Sequence, residues 1–303
     1  TSPTLTGLNN FYNSGTKSDY YSTRLYSDWS DNFSTELRYA HSQIDDLQDP
    51  VGGGEAQSDN PIPQINVGTF RDGIYGSLQA GPGTFRMANQ LNTTVDYATA
   101  IARIDAGRHS IKLGTTWNKV DIFNLFVPGS SGILNFADLD ALEAGILTNG
   151  DRTSSFFGRN LYDNTTVGAT GAASATGDVN DAAANFSRTT WSFFAQDDWQ
   201  MTDRVNAVLG VRVDLHDGDF PAYNPNFAER YNGRSNAIGF GALPVSLLPR
   251  AAFTYEADDF AVFSAPTLRL GAGVFSGGDP LVWFGNAFQN NGITYSEGNL
   301  ASA

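Results

Sequence analysis

The chain has 303 residues and no cysteine, which excludes disulfide scaffolds, cysteine-ligated zinc and thiol nucleophiles. Its formal net charge of −14 argues against nucleic-acid binding, which needs a basic stripe to meet the phosphates. Hydrophobic residues are 41% and aromatic residues 13% of the chain, yet no run approaches the ~18 consecutive apolar residues of a membrane helix. A membrane barrel stays open, because its lipid face uses only alternate residues.

The N-terminal stretch TSPTLTGLNNFYNSGTKSDYY has neither the basic start nor the apolar core of a signal peptide. The expectation is that a signal was removed or that the numbering begins inside a longer chain. Residues 18–29 read as a first strand, with Tyr21, Thr23, Leu25 and Trp29 on one face and Ser22, Arg24, Tyr26 and Asp28 on the other. After a tight turn, residues 32–42 return, with Phe33, Thr35, Leu37 and Tyr39 opposite Ser34, Glu36 and Arg38. Residues 43–90 then lose regular alternation, broken by three consecutive glycines and several prolines, with a short hairpin expected over 65–78.

Residues 91–104 form a third strand and 108–123 a fourth, the latter with Ile111, Leu113, Thr115 and Trp117 aligned. A second irregular stretch, 124–185, holds an expected short helix over 136–144, capped by Asn135. Its Gly-, Ala- and Thr-rich part, 165–184, is expected to be mobile. Residues 187–201 and 204–216 form the clearest hairpin. In its second strand Val205, Ala207, Leu209, Val211 and Val213 share one face, and Asn206, Gly210, Arg212 and Asp214 the other. In its first strand Phe194 and Asp197 fit one register poorly, which suggests a bulge. A third irregular stretch, 217–246, precedes strands at 248–257 and 267–275 and an irregular tail.

The connections alternate. Short ones fall near residues 30, 106, 202 and 260 and long ones lie between them, so the short turns share one end of the sheet and the long loops the other. Outer-membrane barrels sort their connections in this way. The fold class expected is all-β: an antiparallel up-and-down transmembrane β-barrel in a single domain, with long extracellular loops. Eight strands with two open edges would leave backbone groups facing hydrocarbon, at several kcal/mol each, so the sheet must close or continue. On this reading Leu209→Arg would cost roughly 2–4 kcal/mol, and the same change at Asn206 or Gly210 less. Two alternatives are a secreted β-sandwich or adhesin binding glycans or other cells, and a complete eight-stranded barrel in which 18–29 pairs with 267–275.

Chemical motifs are sparse. Gly271, Gly273 and Gly277 lie in and after a strand with no helical pattern behind them, so a phosphate loop is disfavoured. Asp214, His216, Asp217 and Asp219 match no calcium-loop spacing and read as a solvated strand end. His41, His109 and His216 lie far apart in sequence, and no metal or other cofactor is expected. Asp197 and Asp198 point to opposite faces and cannot flank one substrate bond, so no catalytic residues are assigned. Trp29, Trp117, Trp191 and Trp199 read as interfacial belt residues. The ligand-binding candidates are two groups of loop aromatics: Tyr223, Phe227 and Tyr231, and Trp283, Phe284 and Phe288.

The stretch FFAQDDWQMTDRVNAVLGVRVD resembles a hairpin of TonB-dependent outer-membrane receptors, through Gln196, Asp197, Trp199, Thr202, Asp203, Gly210, Arg212 and Asp214. LLPRAAFTYE, then TLRLGAGVFSGGDPLVWFGNAF, and NLFVPGSSG are similar to the Oar-like subgroup, whose members carry a carboxypeptidase-regulatory-like N-terminal domain. The resemblance implies a barrel of about 22 strands, an internal plug, and energy-coupled uptake of a scarce extracellular ligand across the outer membrane of a Gram-negative bacterium. It also implies contact with TonB through a segment outside these residues. The chain lacks the plug and the terminal aromatic strand of that pattern, so it reads as an interior section of the wall. Outer-membrane lipid and lipopolysaccharide are the further expected partners, with divalent cations bridging the acidic chain to anionic lipid.

Overall fold

The computed structural model describes residues 3–148, 169–259, 262–277 and 281–300. In chain order the elements are β1 (Thr4–Thr6), β2 (Tyr12–Ser30), β3 (Phe33–Pro50), β4 (Gln64–Arg71), β5 (Ile74–Ala80), β6 (Asn89–Ala106), β7 (His109–Phe126), β8 (Ile133–Phe136), α1 (Leu139–Ala144), β9 (Ala169–Ser174), β10 (Ala184–Thr202), β11 (Val205–Gly218), α2 (Pro225–Arg230), β12 (Ser246–Glu256), β13 (Thr267–Gly273), α3 (Leu281–Gln289) and β14 (Tyr295–Leu300).

Eight strands form one sheet in the order β13-β12-β11-β10-β7-β6-β3-β2, every neighbouring pair antiparallel. The two edges, β2 and β13, do not pair, so the sheet is an open section of wall and the self-contained eight-stranded barrel is not formed. All four hairpins, β2–β3, β6–β7, β10–β11 and β12–β13, turn at the same end. The long connections leave from the other. At the short-turn end Arg204 pairs with Asp258, and that hydrogen bond raises the guanidinium above its ordinary pKa.

Toward the short turns the outward face is apolar. One row across the strands reads Leu25, Leu37, Ala100, Thr115, Phe193, Val213 and Leu247; the next reads Ser27, Thr35, Ala102, Leu113, Ala195, Val211 and Pro249. Leu25, Leu37, Leu113, Phe193 and Val211 are exposed, and no second sheet covers them, as a β-sandwich would require. The inward rows carry Arg24, Glu36, Arg103, Lys112, Gln196, Arg212 and Arg250.

Both β2 and β10 run for 19 residues, where about 9–11 suffice to cross a bilayer. Beyond the row of Trp117 and Trp191 the polarity of the two faces inverts. Outward positions become His41, Asp96, Lys119 and Asp121; inward ones become Val95, Val120, Ile122 and Phe186. The expected strands ended where the apolar-outward pattern ended, near 18 in β2 and 42 in β3, whereas hydrogen bonding continues back to Tyr12 and on to Pro50. Past the inversion the sheet packs its inner face like an ordinary protein core.

The loop segments build a second, mixed sheet in the order β1-β5-β4-β8-β9-β14, with parallel pairs β1–β5 and β4–β8. The β4–β5 hairpin turns through Asp72 and Gly73, both at positive φ, as a tight two-residue hairpin requires.

Several local expectations change. Asn135 and Phe136 belong to β8, and α1 is capped instead by Asp138, whose carboxylate accepts from Ala141 N at 2.8 Å. Within the stretch expected to be mobile, residues 165–168 lie outside the described residues; from 169 on it forms β9 and a turn in which Ala172, Ala182, Ala183 and Ala184 are buried. The expected irregular tail holds α3 and β14. In β10 the register is unbroken through Phe194 and Asp197 and shifts only between Gln200 and Thr202. Phe194 can point inward because Gly114 opposite has no side chain; a Cβ there would lie 2.3 Å from the ring. Asp197 can point outward because His109 Nδ1 meets it at 2.7 Å.

Candidate functional site

The inner wall is held by charge-assisted hydrogen bonds. Glu36, largely buried, meets Arg24 Nε at 3.3 Å and Arg103 Nη2 at 2.8 Å. Arg212 donates from Nε to Asp214 at 2.6 Å and from Nη2 to Ser192 Oγ at 2.8 Å. Arg250 donates to Gln196 at 2.8 Å. Glu36 ties β3 to both its neighbours, β2 and β6, Arg212 ties β11 to β10, and Arg250 reaches from β12 over β11 to β10, so these bonds hold register while keeping the lining hydrophilic. Replacing Glu36 by Gln removes the charge shared by two guanidinium groups and is expected to cost roughly 1–3 kcal/mol. A urea midpoint in detergent identical to wild type would contradict that role.

Asp214 is not the solvated strand end the sequence suggested: it is 2% exposed and also accepts from Ser276 Oγ at 3.3 Å. His216 lines the same inward cavity, of about 190 Å³, with Arg188, Thr190, Asp214 and Tyr97. Asp217 points to the opposite face, and Asp219 accepts from Ser187 N at 2.7 Å, so the four do not converge. His41 pairs with Asp96 and His109 with Asp197, and among the described residues no group of three or more potential ligands is placed to hold a metal.

Above the inversion a loop cap closes on the inner face. Phe240 is fully buried, with ring centroids 4.3 Å from Phe284, 5.5 Å from Phe186 and 6.2 Å from Phe288. Gly239 permits this seat, since a Cβ there would fall 2.1 Å from the Asp219 carbonyl. Phe288 also stacks on Phe186 at 4.6 Å. Two of the six aromatic candidates, Phe284 and Phe288, therefore anchor α3 to the wall. Trp283, on the same helix, is 78% exposed, and Tyr223 and Tyr231 are exposed as well. Phe227 and Tyr231 pair at 4.4 Å along α2. Asn224 caps α2 and donates from Nδ2 to Asn291 O at 2.9 Å, which ties the first aromatic group to the segment after α3. That link joins stretches 67 residues apart, and nothing in either segment announces it.

Trp117 and Trp191 adjoin at 6.2 Å on the outward face at the inversion. Trp199 stacks on His109 at 5.3 Å near the short turns. The eight steps from 191 to 199 span about 26 Å along a strand, which at a tilt of 35–45° gives a height of about 19–22 Å, most of the ~25 Å apolar band of an outer-membrane barrel. A family model for the outer membrane beta barrel domain matches residues 2–301. The chain belongs to that family. The outward apolar band of this outer membrane barrel domain faces lipid, and Trp117, Trp191 and Trp199 sit at its two margins. No curated protein matches the chain. Among solved structures, the copper transporter OprC is similar at 13% identity with a TM-score of 0.43, over 85% of this chain and 30% of that one. The barrel domain described here thus spans less than a third of that transporter's length.

Proposed function

We propose that this wall belongs to a TonB-dependent receptor of the Oar-like subgroup, a barrel of about 22 strands that takes up a scarce extracellular ligand with energy from the inner membrane. The long-loop end faces the outside of the cell, and the belt of Tyr39, His41, Asp96 and Lys119 lies at the depth of lipopolysaccharide headgroups. The observation that carries the reading is the structured loop cap. Long strands rise beyond the lipid band and hold Phe240 and α3 against their inner face, with α2 tied to the segment after α3, where an incoming solute must pass. Trp283, Tyr223 and Tyr231 make the ligand contact, with Phe227, Phe284 and Phe288 holding them in place. Catalysis plays no part in this reading, and coupling to TonB runs through a segment outside these residues.

The test is association of the purified full-length receptor with the periplasmic domain of TonB from the same bacterium. Saturable binding is expected, and its absence would end the proposal. In cells, the triple change of Trp283, Tyr223 and Tyr231 to Ala is expected to lower TonB-dependent uptake at unchanged outer-membrane abundance.

A further inference from the structure

Away from the aromatic cap, one face of the loop sheet carries a row of side-chain amides. Gln79 of β5, Asn66 of β4 and Asn135 of β8 are direct cross-strand neighbours, and Gln64 lies one step along β4 on the same face. They line a cavity of about 560 Å³, to which Ile133 and Phe136 add apolar lining. That volume lies in the usual ~300–1,000 Å³ range of small-ligand sites. Gln64 and Asn135 are each 5% exposed.

The amides are held in a chain. Thr84 Oγ1 donates to Gln64 Oε1 at 2.8 Å, Gln64 Nε2 to Asn66 Oδ1 at 2.9 Å, and Asn66 Nδ2 to Asn135 Oδ1 at 2.9 Å. An amide nitrogen carries two hydrogens. Among the described residues Gln64 and Asn66 each use one, and the Gln79 side chain makes no hydrogen bond. Gln64 and Asn66 therefore each keep a donor for the cavity, set in place by the chain, and the Gln79 amide stands beside them in the lining. In a chain that is 17% charged, none of the described lining residues is charged.

We infer that this cavity binds an uncharged saccharide. Fixed amides offer a donor and an acceptor side by side, which matches the adjacent hydroxyls of a sugar, and apolar lining from Ile133 and Phe136 suits the C–H face of its ring. A charged solute would enter without a counter-ion. An extended peptide would need a free strand edge, but β4 is already paired on both sides, to β5 and β8. The site is independent of TonB coupling and of the aromatic contact proposed above.

The experiment is calorimetric titration of the full-length receptor in lauryldimethylamine oxide, which avoids a sugar-headed detergent. The probes are glucose, galactose, mannose, N-acetylglucosamine and their disaccharides, with glucuronate and triglycine as contrasts. At least one neutral saccharide is expected to bind saturably and more tightly than either contrast. Asn66→Ala should weaken it about tenfold or more, equivalent to the loss of one or two hydrogen bonds. Because Asn66 also belongs to the chain of amides, Gln79→Ala is the second variant: it leaves that chain whole and should weaken binding about three- to tenfold with an unchanged melting curve. No saturable binding by any neutral saccharide, wild-type affinity in both variants, or preference for triglycine would each overturn the inference.

Discussion

Phe240→Ala is expected to release the loop cap from the inner wall at a cost of about 3–5 kcal/mol, the range for truncating a buried aromatic. Phe240 is the shared neighbour of Phe186 on the wall and of Phe284 and Phe288 on α3, and the Arg188 guanidinium lies 5.7 Å from its ring. Its removal leaves a cavity between the wall and α3, whose remaining ties are the Phe186–Phe288 stack and the bonds from the Gln289 amide to the Phe126 and Ala182 carbonyls. The loss should be local. The ladders of β6, β7 and β10 do not depend on the cap, so hydrogen exchange should quicken in residues 219–245 and 281–289 and stay slow in the strands. Equal exchange in the variant and wild type would show that the cap is held by something else. A uniform rise across the strands would show that it is not a separate unit.

The sequence revealed the lipid-depth half of this domain and little above it, for a physical reason. Where one face meets hydrocarbon, alternation is enforced residue by residue, and Val205 to Val213 display it openly. Past Trp117 and Trp191 the same strands exchange the roles of their faces, so a pattern read for outward apolar positions stops there although the hydrogen bonds do not. The apolar residues that take over, Val120, Ile122 and Phe186, are covered by Phe240 and Phe288, which arrive from distant loops. The second sheet is equally hidden. Its parallel pairing of Gln64 with Ile133 joins segments that share no turn, and no local signal can mark such a contact. Phe194 and Asp197 teach the converse: each breaks the alternation of its own strand, and each is accommodated by a residue on the neighbouring one, Gly114 or His109. The aromatic candidates were visible as aromatics, but their division into wall anchors and exposed rings depends on Phe240. The amide row, assembled from residues 66, 79 and 135, could not be read from spacing at all.

The same cross-strand logic changes where a charge on the outward face should hurt most. Leu209 lies directly opposite Asp197, whose Oδ1 is buried and without a hydrogen-bond partner among the described residues. An arginine at 209 could donate to that oxygen, and the position is one outward step from the Trp199 margin, where a charge costs roughly 0–1 kcal/mol. Val211 is different. It lies midway between Ala207 and Leu215, the partners of Trp199 and Trp191, and its own neighbours are Ala195 and Pro249. Val211→Arg therefore places an unpaired guanidinium at the centre of the band and should cost about 2–4 kcal/mol. On the inner face, Asn206→Arg should be nearly neutral because Asp198 already accepts from Asn206 and would accept from the new side chain. Gly210 is a poor control, since a side chain there would crowd Arg250, 3.0 Å from the ideal Cβ position. Reversible urea unfolding of the full-length barrel in phospholipid vesicles, followed by tryptophan fluorescence, ranks the three. The order of cost should be Val211, then Leu209, then Asn206. If Asn206→Arg proved as costly as Val211→Arg, the outward face would not be the one in lipid, and both the depth assignment and the membrane reading of the band would fall together.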